Sequence, residues 1–217
     1  TPDSSWTGIA YNAFKDEGNE VSGTLYGSDE IIKKTFFGEI NLWLQNGASW
    51  TNEAWGEPPD AYYGEDFSES HLKRLVGGES ADKAGHIFQK PGEDEDSEGI
   101  NIRVDDYKGF TNVYYGHKDE KPTDILGGTF TVTKAQPGSG ITLITDSKGL
   151  NVDSSKAADK NLASATLNAL ANKLFYTAYK NGETNLAGKV EIAEGLTSSS
   201  LSKRMEDITF KESNGQG

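Results

Sequence analysis

The stretch Ile40-Asn-Leu-Trp-Leu-Gln-Asn-Gly-Ala-Ser-Trp50 constrains the fold more than any other part of the chain. Ile40, Leu42 and Leu44 alternate with Asn41, Trp43 and Gln45, the period-two pattern of a strand with one buried face. Asn46-Gly47 follows, and both residue types tolerate positive φ, so the chain can turn sharply there. Ala48 and Trp50 then resume the alternation. The same order of short strand, glycine corner and short strand returns at Leu75-Val-Gly-Gly78, Ile100-Asn-Ile-Arg-Val104, Leu126-Gly-Gly-Thr-Phe-Thr-Val132 and Ile141-Thr-Leu-Ile144. Gly127-Gly128 reads as a repeat of the Gly77-Gly78 signal. The spacing is loose, which predicts a coiled β architecture with coils of unequal length and not a tandem array.

A coiled β core is a narrow column with many corners, and it needs fewer apolar residues per length than a globule. The chain has 34% apolar residues and 25 glycines in 217 positions, which agrees with such a core. The net charge of −13 argues against nucleic acid and against an anionic membrane surface. It is read chiefly as a solvated exterior. With no cysteine, disulfide frameworks, thiolate zinc sites and cysteine nucleophiles are excluded. No apolar run is long enough to span a bilayer, and Thr1 to Trp6 lacks a signal-peptide pattern. The absence of an initial Met and the linker-like Lys211 to Gly217 read as a fragment excised from a larger protein.

Along the chain, Val21 to Tyr26 and Glu30 to Phe37 read as strands. Thr51 to Glu69 holds Trp55, Pro58-Pro59, Tyr62-Tyr63 and Phe67 among acids at Glu53, Glu57, Asp60, Glu65 and Asp66. Adjacent prolines oppose helix and central strand, so this is a loop thrown out between coils. Aromatic rings beside carboxylates suit a sugar ring and its hydroxyls, which makes Trp55, Tyr62 and Tyr63 the candidate ligand-binding residues. The competing reading packs those rings onto the scaffold and leaves the acids solvated. Pro91 to Gly99 is a second acidic loop without EF-hand spacing, read as a charged tip and not a calcium site. Strands are expected from Ile100 and from Phe110, with a corner at Lys108-Gly109.

Residues 156 to 181 break the strand pattern. Leu167, Leu170, Leu174 and Ala178 fall on one face at helical spacing, and the alanine density favours helix. Ser154 or Ser155 is the expected cap, and Asn181-Gly182 the expected stop. Strand patterning returns around Val190 and Ile192 and at Ile208-Thr-Phe210.

No catalytic or metal-binding residues and no cofactor are assigned. Gly138-Ser139-Gly140 lacks the context of a nucleophile elbow, and His71, His86 and His117 form no HExxH pair. Asp105-Asp106 is the best local pair of carboxylates, but neighbouring strand residues are expected on opposite faces.

Residues 41 to 50, Ser70-His-Leu-Lys-Arg-Leu-Val-Gly-Gly78 and the strand beginning at Ile100 resemble passenger domains of Gram-negative autotransporters of the pertactin and diffuse-adherence-adhesin type. Residues 138 to 146 and 167 to 179 are similar to a module of large surface autotransporters of anaerobic bacteria. The resemblance covers about residues 38 to 217 and rests on repeat motifs. It implies a mainly β chain, a right-handed parallel β-helix (solenoid) with one packed amphipathic α-helix near residues 156–181. Residues 1–217 would be one fragment of a larger surface protein. The implied function is an adhesin, or the stalk that presents one, at the Gram-negative cell surface. Its partner would be a host-cell or matrix protein or a glycan receptor, and it would reach the membrane only through a barrel outside this chain. The alternative is a polysaccharide-binding or polysaccharide-cleaving β-helix.

Overall fold

A computed structural model of the chain describes residues 4–8, 10, 21–24, 31–34, 39–53, 69–92, 99–151, 155–193 and 202–211. The molecule is mainly β with parallel sheets, and its described residues include one α-helix. In chain order the strands are β1 (Ser5–Thr7), β2 (Val21–Thr24), β3 (Ile31–Lys34), β4 (Asn41–Trp43), β5 (Ser49–Asn52), β6 (Glu69–Val76), β7 (Gly85–Gln89) and β8 (Asn101–Lys108). They continue with β9 (Phe110–Lys118), β10 (Lys121–Leu126), β11 (Phe130–Ala135), β12 (Ser139–Asp146), the helix α1 (Ala157–Ala171), β13 (Leu174–Tyr176), β14 (Leu186–Ala193) and β15 (Ser202–Ile208).

One sheet has the order β4-β6-β8-β11-β13, and the other β1-β5-β7-β9-β12-β14-β15. We call them the first and second sheets. From β4 to β14 the chain alternates between them, and each new strand pairs in parallel with the previous strand of its own sheet, β10 excepted, which pairs antiparallel with β9. Registers are kept, so apolar side chains line up in columns. Trp50, Ile87, Val113, Leu143 and Val190 stand in one row of the second sheet, all buried. Leu72, Val104, Val132 and Tyr176 do the same in the first. Both rows belong to one core. β2 and β3 form a separate antiparallel pair within the two stretches expected to be strands.

The two kinds of corner differ. Passing from the first sheet to the second, the chain turns at Asn46-Gly47, with φ of 54° and 80°, and the Ala48 N–H donates to the Gln45 carbonyl at 3.2 Å. Gly109, Gly138 and Gly182 serve the later corners of the same kind. Gly77-Gly78 follows β6 at such a corner, whereas Gly127-Gly128 precedes β11 at the opposite one. The two glycine pairs are therefore not equivalent positions of a repeat. A Cβ on Gly77 would strike the Phe110 carbonyl and one on Gly78 the Lys83 carbonyl, while one on Gly128 would strike Ile100 and Gly127 has a φ of 116°, so each pair has its own local cause.

The connections from the second sheet back to the first are the long ones. They join β5 to β6, β7 to β8, β9 to β11 through β10, and β12 to β13 through α1. A buried polar row marks their point of departure. Asn52, Gln89, Tyr115 and Thr145 stand in register on β5, β7, β9 and β12. The Asn52 amide donates to Gln89 Oε1 and to the Ile100 carbonyl, both at 2.8 Å, and Ser70 Oγ donates to Asn52 Oδ1 at 2.7 Å. Tyr115 OH donates to the Gly128 carbonyl at 3.0 Å. Carbonyls of the returning chain are thus satisfied inside the core, where an unpaired one would cost free energy.

The helix is shorter than its pattern predicts. α1 ends at Ala171, and Leu174–Tyr176 becomes β13, paired with Phe130–Val132. Leu-Phe-Tyr suits a pleated surface, and an open strand edge on β11 outcompetes another helical turn. Ala163, Thr166, Leu167 and Leu170 are the buried face of α1, and Leu174 is buried from a strand instead. The residue before the helix is Lys156, with no side-chain cap, and Gly182 (φ 80°) closes a 3₁₀ turn over Thr177–Asn181 and not α1. The last strand extends beyond the predicted Ile208 to Phe210 stretch on its N-terminal side, and β15 runs antiparallel to β14.

Candidate functional site

Among the described residues, the solvent side of the first sheet gathers a dense set of charged and polar side chains. Strict alternation fails at one place in three neighbouring strands. In β6, Leu72 and Leu75 are buried and Lys73 and Arg74 between them are exposed. β8 repeats this with Val104, Asp105, Asp106 and Tyr107, and β11 with Val132, Thr133, Lys134 and Ala135. Two consecutive solvent-facing residues break the pleat, and register stacks the breaks: Arg74 lies opposite Asp106, and Asp106 opposite Lys134. Asp105 and Asp106 are consequently both on the surface, at 29% and 30% exposure, contrary to the expectation of opposite faces.

Their partners define the chemistry. Arg74 Nε donates to Asp106 Oδ2 at 3.0 Å, and Gln136 Nε2 to Asp106 Oδ1 at 3.2 Å. Asp105 Oδ1 lies 3.0 Å from His71 Nε2, with Lys73 Nζ at 3.8 Å from Oδ2. Arg103 donates from Nη2 to His71 Nδ1 at 3.1 Å, and its Nε is 3.0 Å from Glu69 Oε1. A guanidinium has no lone pair to offer, so His71 Nδ1 accepts and the neutral ring carries its proton on Nε2, aimed at Asp105. Each carboxylate has its own N–H partners. The arrangement suits recognition of polar ligands and not the sharing of a proton between two acids.

The solvent side of the second sheet carries a different group. Tyr114 stacks on Phe88 with centroids 4.7 Å apart and planes 15° apart, and its hydroxyl lies 3.0 Å from His86 Nδ1. Ile144 and Ala193 are buried with them. Burial pushes the Tyr114 phenol up to about 12, against the pull of Asn112 and with help from the Glu191 charge. Burial also lowers the His86 imidazole and raises the Glu191 carboxyl. Burial thus favours the neutral form of both partners in this hydrogen bond.

His117, with a side chain 1% exposed, ties the end of β9 to the end of β12. Its Nδ1 is 3.0 Å from the Lys118 carbonyl and its Nε2 is 2.7 Å from Asp146 Oδ1. The three histidines thus lie in three separate settings. Among the described residues, no three His, Asp or Glu side chains converge as a metal site.

The predicted ligand-binding residues Trp55, Tyr62 and Tyr63 lie outside the described residues, as do residues 93–98 of the acidic loop. Sequence reasoning did not single out His71, Arg74, Arg103 or Lys134. The signal was the repeated apolar-polar-polar-apolar quartet, Leu72-Lys-Arg-Leu75, Val104-Asp-Asp-Tyr107 and Val132-Thr-Lys-Ala135, whose middle residues alternate in charge from strand to strand. No protein-family model matches the chain, and neither does any curated protein or solved structure.

Proposed function

We propose that the chain is a parallel β-helix, right-handed by the rule that governs crossovers between parallel strands, and that it is a non-catalytic surface-display segment. In this reading it is an adhesin, or the stalk presenting one, of an autotransporter-like protein on a Gram-negative outer membrane. A barrel outside this chain would anchor it. The observation that carries the reading is the alternation from β4 to β14: strand after strand changes sheet and stacks in register on its predecessor. Such a stack lengthens coil by coil and holds its loops away from an anchor point.

If the segment is adhesive, Trp55, Tyr62 and Tyr63 supply the contact to a host-cell or matrix protein or a glycan receptor. The test is binding of beads carrying the 217-residue chain to epithelial cells, compared with a variant in which all three residues are Ala. Loss of binding in the variant supports the adhesin, equal binding removes these residues from it, and no binding by either chain favours the stalk.

A second reading, a polysaccharide-binding β-helix, is favoured by the solvent side of the first sheet. Arg103, His71 and Asp105 form one hydrogen-bonded group there, and Gln136 with Asp106 a second beside it, all of residue types that bind sugars.

A further inference from the structure

We propose that the solvent side of the first sheet binds an anionic glycan, one carrying carboxylate or sulfate groups, laid across the strands. The proposal rests on the polysaccharide-binding reading and is independent of surface display.

Charge distribution comes first. The chain carries −13 overall and has three arginines, Arg74, Arg103 and Arg204. Two of these lie on adjacent strands of this face, Arg74 at the break in β6 and Arg103 in β8. Lys73 and Lys134 join them, so the cations here outnumber the carboxylates Glu69, Asp105 and Asp106. An acidic chain has gathered its guanidinium groups on a face that would otherwise repel anions.

Second, a cation is left over. Lys134 stands opposite Asp106 in register, but Arg74 and Gln136 already occupy the two Asp106 oxygens. Among the described residues Lys134 has no ion-pair partner within 4.0 Å. Lys73 is held only loosely, at 3.8 Å from Asp105. A ligand anion placed at the break in β11 would give Lys134 a partner without displacing another pair.

Third, the surface has the form of a linear ligand. His71, Arg103, Thr131 and Phe175 stand in one register row over four strands. Strands are about 4.8 Å apart, so the row spans about 14 Å, with one side chain for each step comparable to a pyranose unit. The Arg103 guanidinium, whose Nη2 and Nε face His71 and Glu69, keeps further N–H donors in its plane, Thr131 offers a hydroxyl, and Phe175 an aromatic face for sugar C–H groups.

The test is titration calorimetry of the intact chain with dextran sulfate, polygalacturonate, uncharged dextran and poly-glutamate. Variants are Lys134→Glu, Arg74→Gln and, as a control with the same charge change elsewhere, Lys148→Glu. We expect dextran sulfate or polygalacturonate to bind, which tells sulfate from carboxylate, and dextran and poly-glutamate to bind far more weakly. Lys134→Glu and Arg74→Gln should each weaken glycan binding about twofold to fivefold, the scale of an exposed ion pair. Lys148→Glu should leave it unchanged. Dextran binding as well as dextran sulfate would overturn charge recognition while keeping the polysaccharide reading. Equal weakening by Lys148→Glu would overturn the site, and tighter binding of poly-glutamate would overturn the glycan. Failure of all three polysaccharides would remove both readings.

Discussion

Asn52 and Gln89 face each other in register on β5 and β7, and the Asn52 amide donates to the Gln89 carbonyl oxygen at 2.8 Å inside the core. The same amide reaches the Ile100 carbonyl across the corner, while Ser70 donates to its oxygen. One side chain therefore connects two strands of the second sheet with the start of two strands of the first.

Replacing Asn52 with Ala leaves Gln89, Ser70 and the Ile100 carbonyl short of a partner in a buried setting. Each unsatisfied group costs about 1–3 kcal/mol. Urea denaturation should show a loss of at least about 2 kcal/mol by that measure. A loss below about 0.5 kcal/mol, the range of an ordinary surface change, would mean that the row contributes little.

Gly109 and Gly47 both have positive φ, at 86° and 80°. Around Gly47 a Cβ meets nothing within 4 Å, whereas at Gly109 it meets the Gly77 and Gly78 carbonyls. Gly47→Ala should cost about 1–2 kcal/mol from the left-handed backbone alone. Gly109→Ala should cost clearly more. Equal denaturation midpoints for the two variants would contradict the close packing of β8 and β9 against the preceding corner.

The α1 face is tested by Leu167→Ala against Leu162→Ala. Leu167 is fully buried and Leu162 is 37% exposed. Truncating Leu167 should cost about 2–5 kcal/mol by thermal or urea unfolding. Truncating Leu162 should cost less, because part of its surface is already in water.

His86 and Glu191 should give the stability profile slopes of opposite sign. Burial lowers His86 from its ordinary 6.5, so the unfolded chain binds that proton more readily. Its contribution is full above pH 6.5 and is lost as the pH falls below it. Burial raises Glu191 from its ordinary 4.5, so its contribution is full below 4.5 and lost as the pH climbs through the raised value. Glu191→Gln should therefore raise the urea midpoint at pH 7.5 and change it much less at pH 4. His86→Gln should flatten the loss that begins near 6.5 on acidification. Indifference of either variant to pH would remove that residue from the profile.

The strands were legible wherever one face alone is buried. Leu42, Leu44, Ala48 and Trp50 alternate cleanly, and Asn46-Gly47 announces its own turn. Local pattern failed where a partner strand decides the outcome. Leu174 and Ala178 fit the helical stripe of Leu167 and Leu170, yet pairing with β11 takes Leu174–Tyr176 for the sheet. Gly77-Gly78 and Gly127-Gly128 look alike in sequence, but Gly77, Gly78 and Gly128 are forced by close backbone and Gly127 by a φ of 116°, and the pairs turn opposite corners. Asp105 and Asp106 could be noticed as a pair, but only the stacked break in β6, β8 and β11 brings them to the same side with Arg74 and His71. That relation spans separations of about thirty residues, which neither periodicity nor a short motif records.

The long connections all run from the ends of second-sheet strands to the starts of first-sheet strands. A β hairpin and a fifteen-residue helix lie within connections of this kind, while the glycine-bearing corners opposite are shorter, one to nine residues long. The two sides of the coil therefore differ in what they permit. One keeps successive strands close along the chain, and the other is a permissive seam into which a hairpin or a helix is inserted with the register of both sheets left intact.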